Sequence, residues 1–83
     1  MTIYYLNVRT ESHIATSLKV EQADLTGLRI EMARFVGELL KDHADLIWKD
    51  EDWRIDVTDE AGLILYVMQI TASDTAATMP FGH

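Results

Sequence analysis

The sequence predicts an α+β domain in which one long amphipathic helix packs on one face of a mainly antiparallel sheet of about four strands, in the order β-β-α-β-β. Two observations carry this prediction: runs of alternating apolar and polar residues lie at both ends of the chain, and a stripe with helical periodicity separates them. Eighty-three residues suffice for a single domain. We expect it to span residues 1–71, with residues 72–83 as a flexible, aperiodic tail.

The first hairpin is predicted from two short runs. Residues 2–9 are rich in β-branched and aromatic side chains, which favour a strand. Residues 11–13 (Glu-Ser-His) read as a turn, and residues 16–20 alternate in a way that predicts the second strand.

The helix is expected to begin after Asp24, whose carboxylate can accept hydrogen bonds from the free amides of the first turn. Its end is open at this point: the helix either stops near Asp42 or continues through Leu46 and Ile47 to Trp48. The apolar stripe that predicts a buried face consists of Leu25, Leu28, Met32, Phe35, Val36, Leu39 and Leu40.

The second hairpin follows a charged connection. Residues 53–58 alternate strictly, and residues 59–62 form a tight turn in which Gly62 supplies the left-handed position. Residues 63–71 are the return strand.

That last strand carries apolar side chains on both faces, whereas a single helix covers only one. We therefore predict that a second copy of the chain covers the other face, which gives a homodimer. The alternatives are cover by residues 44–48 or 79–81 of the same chain, an apolar ligand, or another protein. The predicted interaction face consists of Ile64, Tyr66, Met68, Ile70, Ile3 and Tyr5.

The net charge of the chain limits the classes of partner that it can bind. Fourteen acidic and seven basic side chains give a net charge of −7, which disfavours nucleic acid and anionic membrane surfaces. Eight carboxylates lie between residues 42 and 60 and predict an acidic rim, either solvated or able to dock a basic protein. The rim residues assigned to docking are Asp50, Glu51, Asp52, Asp56, Asp59 and Glu60.

No catalytic constellation is visible. The chain has no cysteine, no phosphate-binding glycine loop and no G-x-S-x-G or H-E-x-x-H sequence. The Asp50-Glu51-Asp52 run lacks the glycine and glutamate of a calcium loop. His13, His43 and His83 do not suggest a built site, and His43 is interpreted as a buried or helix-end histidine. We predict no metal and no cofactor.

Four further side chains receive structural interpretations. Trp48 and Trp53 are expected to anchor the core, because no basic groove accompanies them. Arg9 and Arg54 could hold a carboxylate, although pairing with local acids such as Asp56 is the favoured interpretation.

The arrangement resembles a family of short bacterial proteins catalogued as a domain of unknown function. The resemblance is carried by Tyr4-Tyr5-Leu6-Asn7-Val8-Arg9 in the first strand, by Asp24-Leu25 at the helix start, and by the run from Trp53 to Gly62 in the second hairpin. It covers about residues 3–70 and implies the strand-strand-helix-strand-strand architecture. It implies no activity and no catalytic residues.

The function expected from these observations is that of a non-enzymatic interaction module, antitoxin-like or regulatory. Its apolar sheet face would form the homodimer contact, and its acidic rim would dock a basic protein. The alternatives are a small lipophilic-ligand-binding domain and an enzyme with its site at a dimer interface. The chain shows no secretory leader and no apolar segment of about 20 residues, so the expected location is cytoplasmic.

Overall fold

The computed structural model describes residues 1–10, 15–50 and 52–78. Over these residues the chain forms a four-stranded antiparallel sheet and two helices, which confirms the α+β class. The elements are β1 (Thr2–Thr10), β2 (Ala15–Gln22), α1 (Leu25–Asp42), α2 (Ala44–Asp50), β3 (Asp52–Thr58) and β4 (Ile64–Thr71).

The strand order is β2-β1-β3-β4, so the first and last hairpins meet through their inner strands. Every neighbouring pair is antiparallel. In the central pair, Leu6 lies opposite Val57 and Val8 lies opposite Ile55. β2 and β4 are the two edges of the sheet. The register of β3 with β4 shifts by one residue at Val57 and Thr58, which is a β-bulge.

The single long helix of the sequence prediction is two helices. α1 begins after Asp24, as predicted, and the Asp24 carboxylate accepts a 2.7 Å hydrogen bond from the amide of Gly27. α1 ends at Asp42, and His43 leaves helical geometry (φ −127°, ψ 40°) while its amide still donates to the carbonyl of Leu39 at 3.0 Å. The chain bends there, and the short α2 brings Ile47 into the core.

Both helices contribute to one apolar core on one side of the sheet. We call this side the covered face. Its strand residues are Tyr4, Leu6, Val8, Val20, Trp53, Ile55 and Val57, and its buried helix residues are Leu28, Met32, Val36, Leu39 and Ile47. The predicted helix stripe is therefore largely correct, with Leu25 as the exception, because it lies at the first helical position and is about half exposed.

The second hairpin turns as the sequence predicts. Gly62 has φ +89°, a conformation that favours glycine because it has no Cβ. The amide of Gly62 donates to the carbonyl of Asp59 at 3.1 Å. One carboxylate oxygen of Asp59 also accepts from the amides of Ala61 and Leu63, both at 2.9 Å. The loop is thus built on the Asp59 side chain.

Several predicted segments lie outside the described residues, namely the first turn at residues 11–13 and the end of the tail at residues 79–83. Within the predicted tail, residues 72–78 contain a turn and no helix or strand. No helix among the described residues has both the length and the apolar character needed to cross a bilayer.

Candidate functional site

The sheet side opposite the helices is the open face. It carries alternate residues of each strand, beginning with Ile3, Tyr5, Asn7 and Arg9 on β1. Their register neighbours on this face are Ser17, Lys19 and Glu21 on β2, Asp52, Arg54, Asp56 and Thr58 on β3, and Val67, Gln69 and Thr71 on β4. Neither helix packs on this side, because their buried residues all belong to the core on the covered face.

A connected set of polar side chains occupies the centre of the open face. Asn7 lies in the middle: its amide nitrogen donates to the carboxylate of Asp56 at 2.9 Å and to the hydroxyl of Thr58 at 3.3 Å. Its amide oxygen accepts from the hydroxyl of Ser17 at 2.8 Å. The Nε of Arg9 donates to the second oxygen of Asp56 at 3.0 Å. We call these five residues the polar cluster.

Asp56 is the unusual member of the polar cluster, because its side chain is 0% exposed. A buried carboxylate is costly unless it is paired and hydrogen-bonded, and here Asn7 satisfies one oxygen and Arg9 the other. The side chain of Arg9 is itself 64% exposed. The cluster therefore connects a buried carboxylate to a cationic group at the surface. The pairing of Arg9 with Asp56 agrees with the sequence-based interpretation.

Arg54 lies directly opposite Arg9 in the register of β1 and β3, and it is exposed. Its neighbour on β4 is Gln69, whose side-chain amide donates to the carboxylate of Asp52 at 3.1 Å. Among the described residues the ion pair of Arg9 with Asp56 is the only one, so Arg54 has no carboxylate partner there.

The six residues of the predicted interaction face do not share a surface. Tyr66, Met68 and Ile70 lie opposite Val57, Ile55 and Trp53, so they belong to the covered face and pack against its core. Ile3 and Tyr5 lie on the open face, and Ile64, beyond the bulge, lies opposite Thr58. The alternative in which residues 44–48 cover this row agrees with the structure in part, since α2 lies on the covered face and Ala44, Ile47 and Trp48 line a groove together with Ile70.

The carboxylates of the predicted docking rim are also dispersed. Asp50 and Asp56 are buried, and Asp50 accepts a 2.9 Å hydrogen bond from the indole nitrogen of Trp53. Asp59 is used within its own turn. Asp52 and Glu60 are exposed at opposite ends of β3, and Glu51 lies outside the described residues. These residues therefore form no continuous acidic surface in the described parts of the chain.

The two edges of the sheet differ in chemistry. β2 carries Lys19 and Glu21 on its open-face positions, and charged side chains of this kind discourage pairing with another strand. β4, with the sequence ILYVMQIT, has eight residues without a charge or a proline. Val67 at its middle is 47% exposed. The β4 edge is thus the less protected of the two.

Beside the β4 edge, on the side of the helices, lies an open groove of about 560 Å³. Trp48 stands at this groove with 63% of its surface exposed, so the prediction that both tryptophans anchor the core holds for Trp53 only. Trp48 follows the buried Ile47 in α2 and therefore lies on a different side of that helix. The lining residues are Leu40, Ala44, Ile47, Trp48, Ile70, Thr71, Ala72 and Ser73.

Histidine and carboxylate side chains are the groups of this chain that could hold a metal ion. In the described ranges no three His, Asp or Glu side chains are grouped so that they could hold a metal ion. His43, half-buried between the helices, is the helix-end histidine of the sequence interpretation, while His13 and His83 are not in the described ranges.

Asn7, Ser17 and Thr58 are the members of the polar cluster that the sequence did not single out. Their signal is weak, because each is an ordinary polar residue on a solvent-facing strand position. The strand registers would have identified Asn7 and Ser17, since they place Asn7 opposite Asp56 on β3 and opposite Ser17 on β2. That register depends on the strand order, which the sequence leaves open.

Comparison with known proteins gives one result. The family model described as a domain of unknown function, DUF6894, matches residues 3–71. No curated protein and no solved structure matches the chain. Residues 3–71 include all four strands and both helices. The chain therefore belongs to the DUF6894 family of domains of unknown function.

Proposed function

We propose that this domain is a non-enzymatic interaction module that forms a homodimer by antiparallel pairing of β4 with β4 of a second copy. The observation that supports this proposal is the contrast between the two sheet edges, of which only β2 carries charged side chains. An exposed edge that is long, uncharged and free of proline is a template for a further strand.

Pairing through β4 satisfies backbone groups that face outward at this edge. In the β3–β4 ladder the register is regular from Tyr66 to Thr71, so the outer side of this stretch is equally regular. A two-fold axis perpendicular to the sheet places the same strand of both copies side by side, in opposite directions. The result is one continuous eight-stranded sheet with the helices of both copies on the same side.

The side chains of β4 also favour this arrangement. Tyr66, Met68 and Ile70 are half-buried on the covered face, and edge pairing extends their row with the same three residues of the second copy. Contact across this row removes apolar surface from water at about 25 cal/mol per Å². The homodimer predicted from the sequence is thereby retained, with a strand edge in place of a sheet face.

The test is sedimentation equilibrium of the purified chain across a range of concentrations, with two matched variants. Val67→Lys introduces a charge on β4, and Leu18→Lys introduces the same charge on β2, where Leu18 is 43% exposed against 47% for Val67. We expect a concentration-dependent dimer for the wild type and for Leu18→Lys, and a monomer for Val67→Lys.

Circular dichroism of both variants verifies that they fold. A wild-type monomer at every concentration tested, or equal loss of dimer in the two variants, would contradict pairing through β4. Because each chain carries a net charge of −7, the dimer should also strengthen as salt screens the repulsion between copies.

A second candidate function rests on the groove beside Trp48. Its volume of about 560 Å³ falls within the range of small-molecule sites, and its lining is mostly apolar with two hydroxyl groups, from Thr71 and Ser73. Such a groove suits a lipophilic ligand. Titration with a medium-chain fatty acid, followed by tryptophan fluorescence, tests this candidate in the Trp53→Phe variant, which keeps only Trp48. An unchanged Trp48 emission would contradict it.

A further inference from the structure

We propose that Arg9 and Arg54 form a binding site on the open face for carboxylates of an acidic, extended segment of a partner protein. This site does not depend on the dimer, because the open face and the β4 edge are different surfaces. The inference starts from the two arginines that the strand register places directly opposite each other.

Arg9 is held in position by the interior of the sheet. Its Nε donates to Asp56, and Asp56 is fully buried and fixed on its other oxygen by Asn7. A guanidinium has five N–H donors, and within the described ranges Arg9 uses the one on Nε, which leaves the four on its terminal nitrogens. Since 64% of the side chain is exposed, this planar fork is available at the surface and already oriented.

Arg54 supplies a second cation at the same level of the sheet. Side chains directly opposite each other on neighbouring strands have Cβ atoms about 5 Å apart. Arg54 forms no ion pair among the described residues, and the nearby carboxylate of Asp52 is bonded to the amide of Gln69. Two like charges on opposed side chains disfavour each other, and an anion bound by both guanidinium groups offsets this repulsion.

The charge of the open face permits an acidic partner. Over the strand positions described on this face, Arg9, Lys19 and Arg54 balance Glu21, Asp52 and Asp56, which gives a sum of zero. The whole chain has a net charge of −7. A carboxylate therefore meets less repulsion on the open face than on the remainder of the surface, and at physiological salt the distant charges are screened beyond about 8 Å.

The same face defines the length of the partner segment. Tyr5 lies four residues before Arg9 on β1, which corresponds to about 13 Å along a strand. Tyr5 and Ile64 provide apolar surface at that end. An extended segment fits if it places an acidic residue and an apolar residue four positions apart. The groove beside Trp48 lies on the other side of the sheet, so the two surfaces can be tested separately.

The experiment is a nuclear magnetic resonance titration of the ¹⁵N-labelled full chain with synthetic peptides. The probe is a peptide with glutamate four residues from leucine in a Ser/Thr background, and the comparison peptide has glutamine in place of glutamate. We expect the glutamate peptide to shift the amides of β1 and β3 and the Nε–H of Arg9. The glutamine peptide and inorganic phosphate should bind at least about tenfold more weakly.

Variants complete the test. Arg54→Gln should weaken the glutamate peptide about tenfold while leaving the fold unchanged, because Arg54 has no partner among the described residues. Arg34→Gln, which removes an exposed arginine of α1, should leave the affinity as it was. Equal binding of the glutamine peptide or of phosphate, equal losses in the two variants, or shifts confined to the helices would each overturn the proposal. None of these outcomes bears on the dimer.

Discussion

Ile55 and Asp56 are neighbours in β3, both have no exposed surface, and they are buried by different means. Ile55 lies on the covered face beneath the helices, in contact with the apolar core. Asp56 lies on the open face, where Asn7 and Arg9 take the place of a helix layer. Burial of Ile55 is stabilised by apolar contacts, and burial of Asp56 is stabilised by specific hydrogen bonds.

The comparison teaches that the two faces of one sheet tolerate change differently. Apolar packing depends on volume and is shared among many contacts, so other apolar side chains of similar size can substitute. The polar cluster depends on matching each donor with an acceptor, and one mismatch leaves a buried polar group without a partner. The covered face therefore provides more of the stabilisation, whereas the polar cluster on the open face tolerates fewer kinds of side chain.

The largest effect is expected at the covered face. Ile55→Ala removes buried apolar volume beneath both helices and should lower the free energy of unfolding by about 2–5 kcal/mol, measured by urea denaturation. A domain of this length has a total stability of only about 4–12 kcal/mol. Ile55→Val, expected to lose about 0.5–1.5 kcal/mol, gives a second point on the same scale. Equal losses in the two variants would contradict burial by volume.

The next effect sharpens the comparison at Asp56. Asp56→Asn keeps the shape of the side chain but places an amide nitrogen where Asn7 or Arg9 now donates. We expect a loss of about 1–3 kcal/mol in chemical denaturation, because one buried donor is left unpaired. In a double-mutant cycle with Arg9→Gln the two losses should not add. Additive losses would show that Arg9 and Asp56 act independently.

The helix cap supports the covered face from outside the core. Asp24→Ala removes the acceptor for the amide of Gly27, and the expected cost is about 1 kcal/mol in thermal or urea unfolding. Asp24→Asn keeps an acceptor and serves as the matched control, with a smaller loss. If both variants lost the same amount, the hydrogen bond to Gly27 would not be the cause.

The smallest effect is expected at the solvent side of the polar cluster. Ser17 is exposed, and its hydroxyl donates to Asn7 at 2.8 Å. Ser17→Ala should cost only about 0.5 kcal/mol, since water can replace the lost donor. A loss as large as that of Asp56→Asn would indicate that Asn7 is fixed from the β2 side of the sheet.

The sequence predicted the order of strands and helix, the cap at Asp24 and the turn at Gly62, because each depends on local chemistry. It also predicted the alternation of β3, where Trp53, Ile55 and Val57 differ clearly in polarity from the residues between them. β4 is different: its apolar residues occupy both parities, so periodicity could not decide which set faces the helices. The assignment of Tyr66, Met68 and Ile70 to an exposed face followed from that ambiguity.

Two other features depended on contacts between distant parts of the chain. Leu46 and Ile47 continue the helical stripe beyond Asp42, and only the backbone at His43 shows that α1 has ended. The acidic run was interpreted as a surface because carboxylates are usually solvated. Trp53 and Arg9 supply partners to the buried Asp50 and Asp56; the sequence suggested the pairing of Arg9 with Asp56, but not the burial of either carboxylate or the bond from Trp53 to Asp50.

The buried carboxylate of Asp56 has a consequence for how the two hairpins join. Its bond to Asn7 spans 49 positions of the chain, at the seam between β1 and β3. Sliding β3 by one residue along β1 would turn every side chain over, so a bare negative charge would be forced under the helices while Ile55 faced water. We expect such shifted registers to be unstable during folding, so that Asp56 favours a single register between the two hairpins.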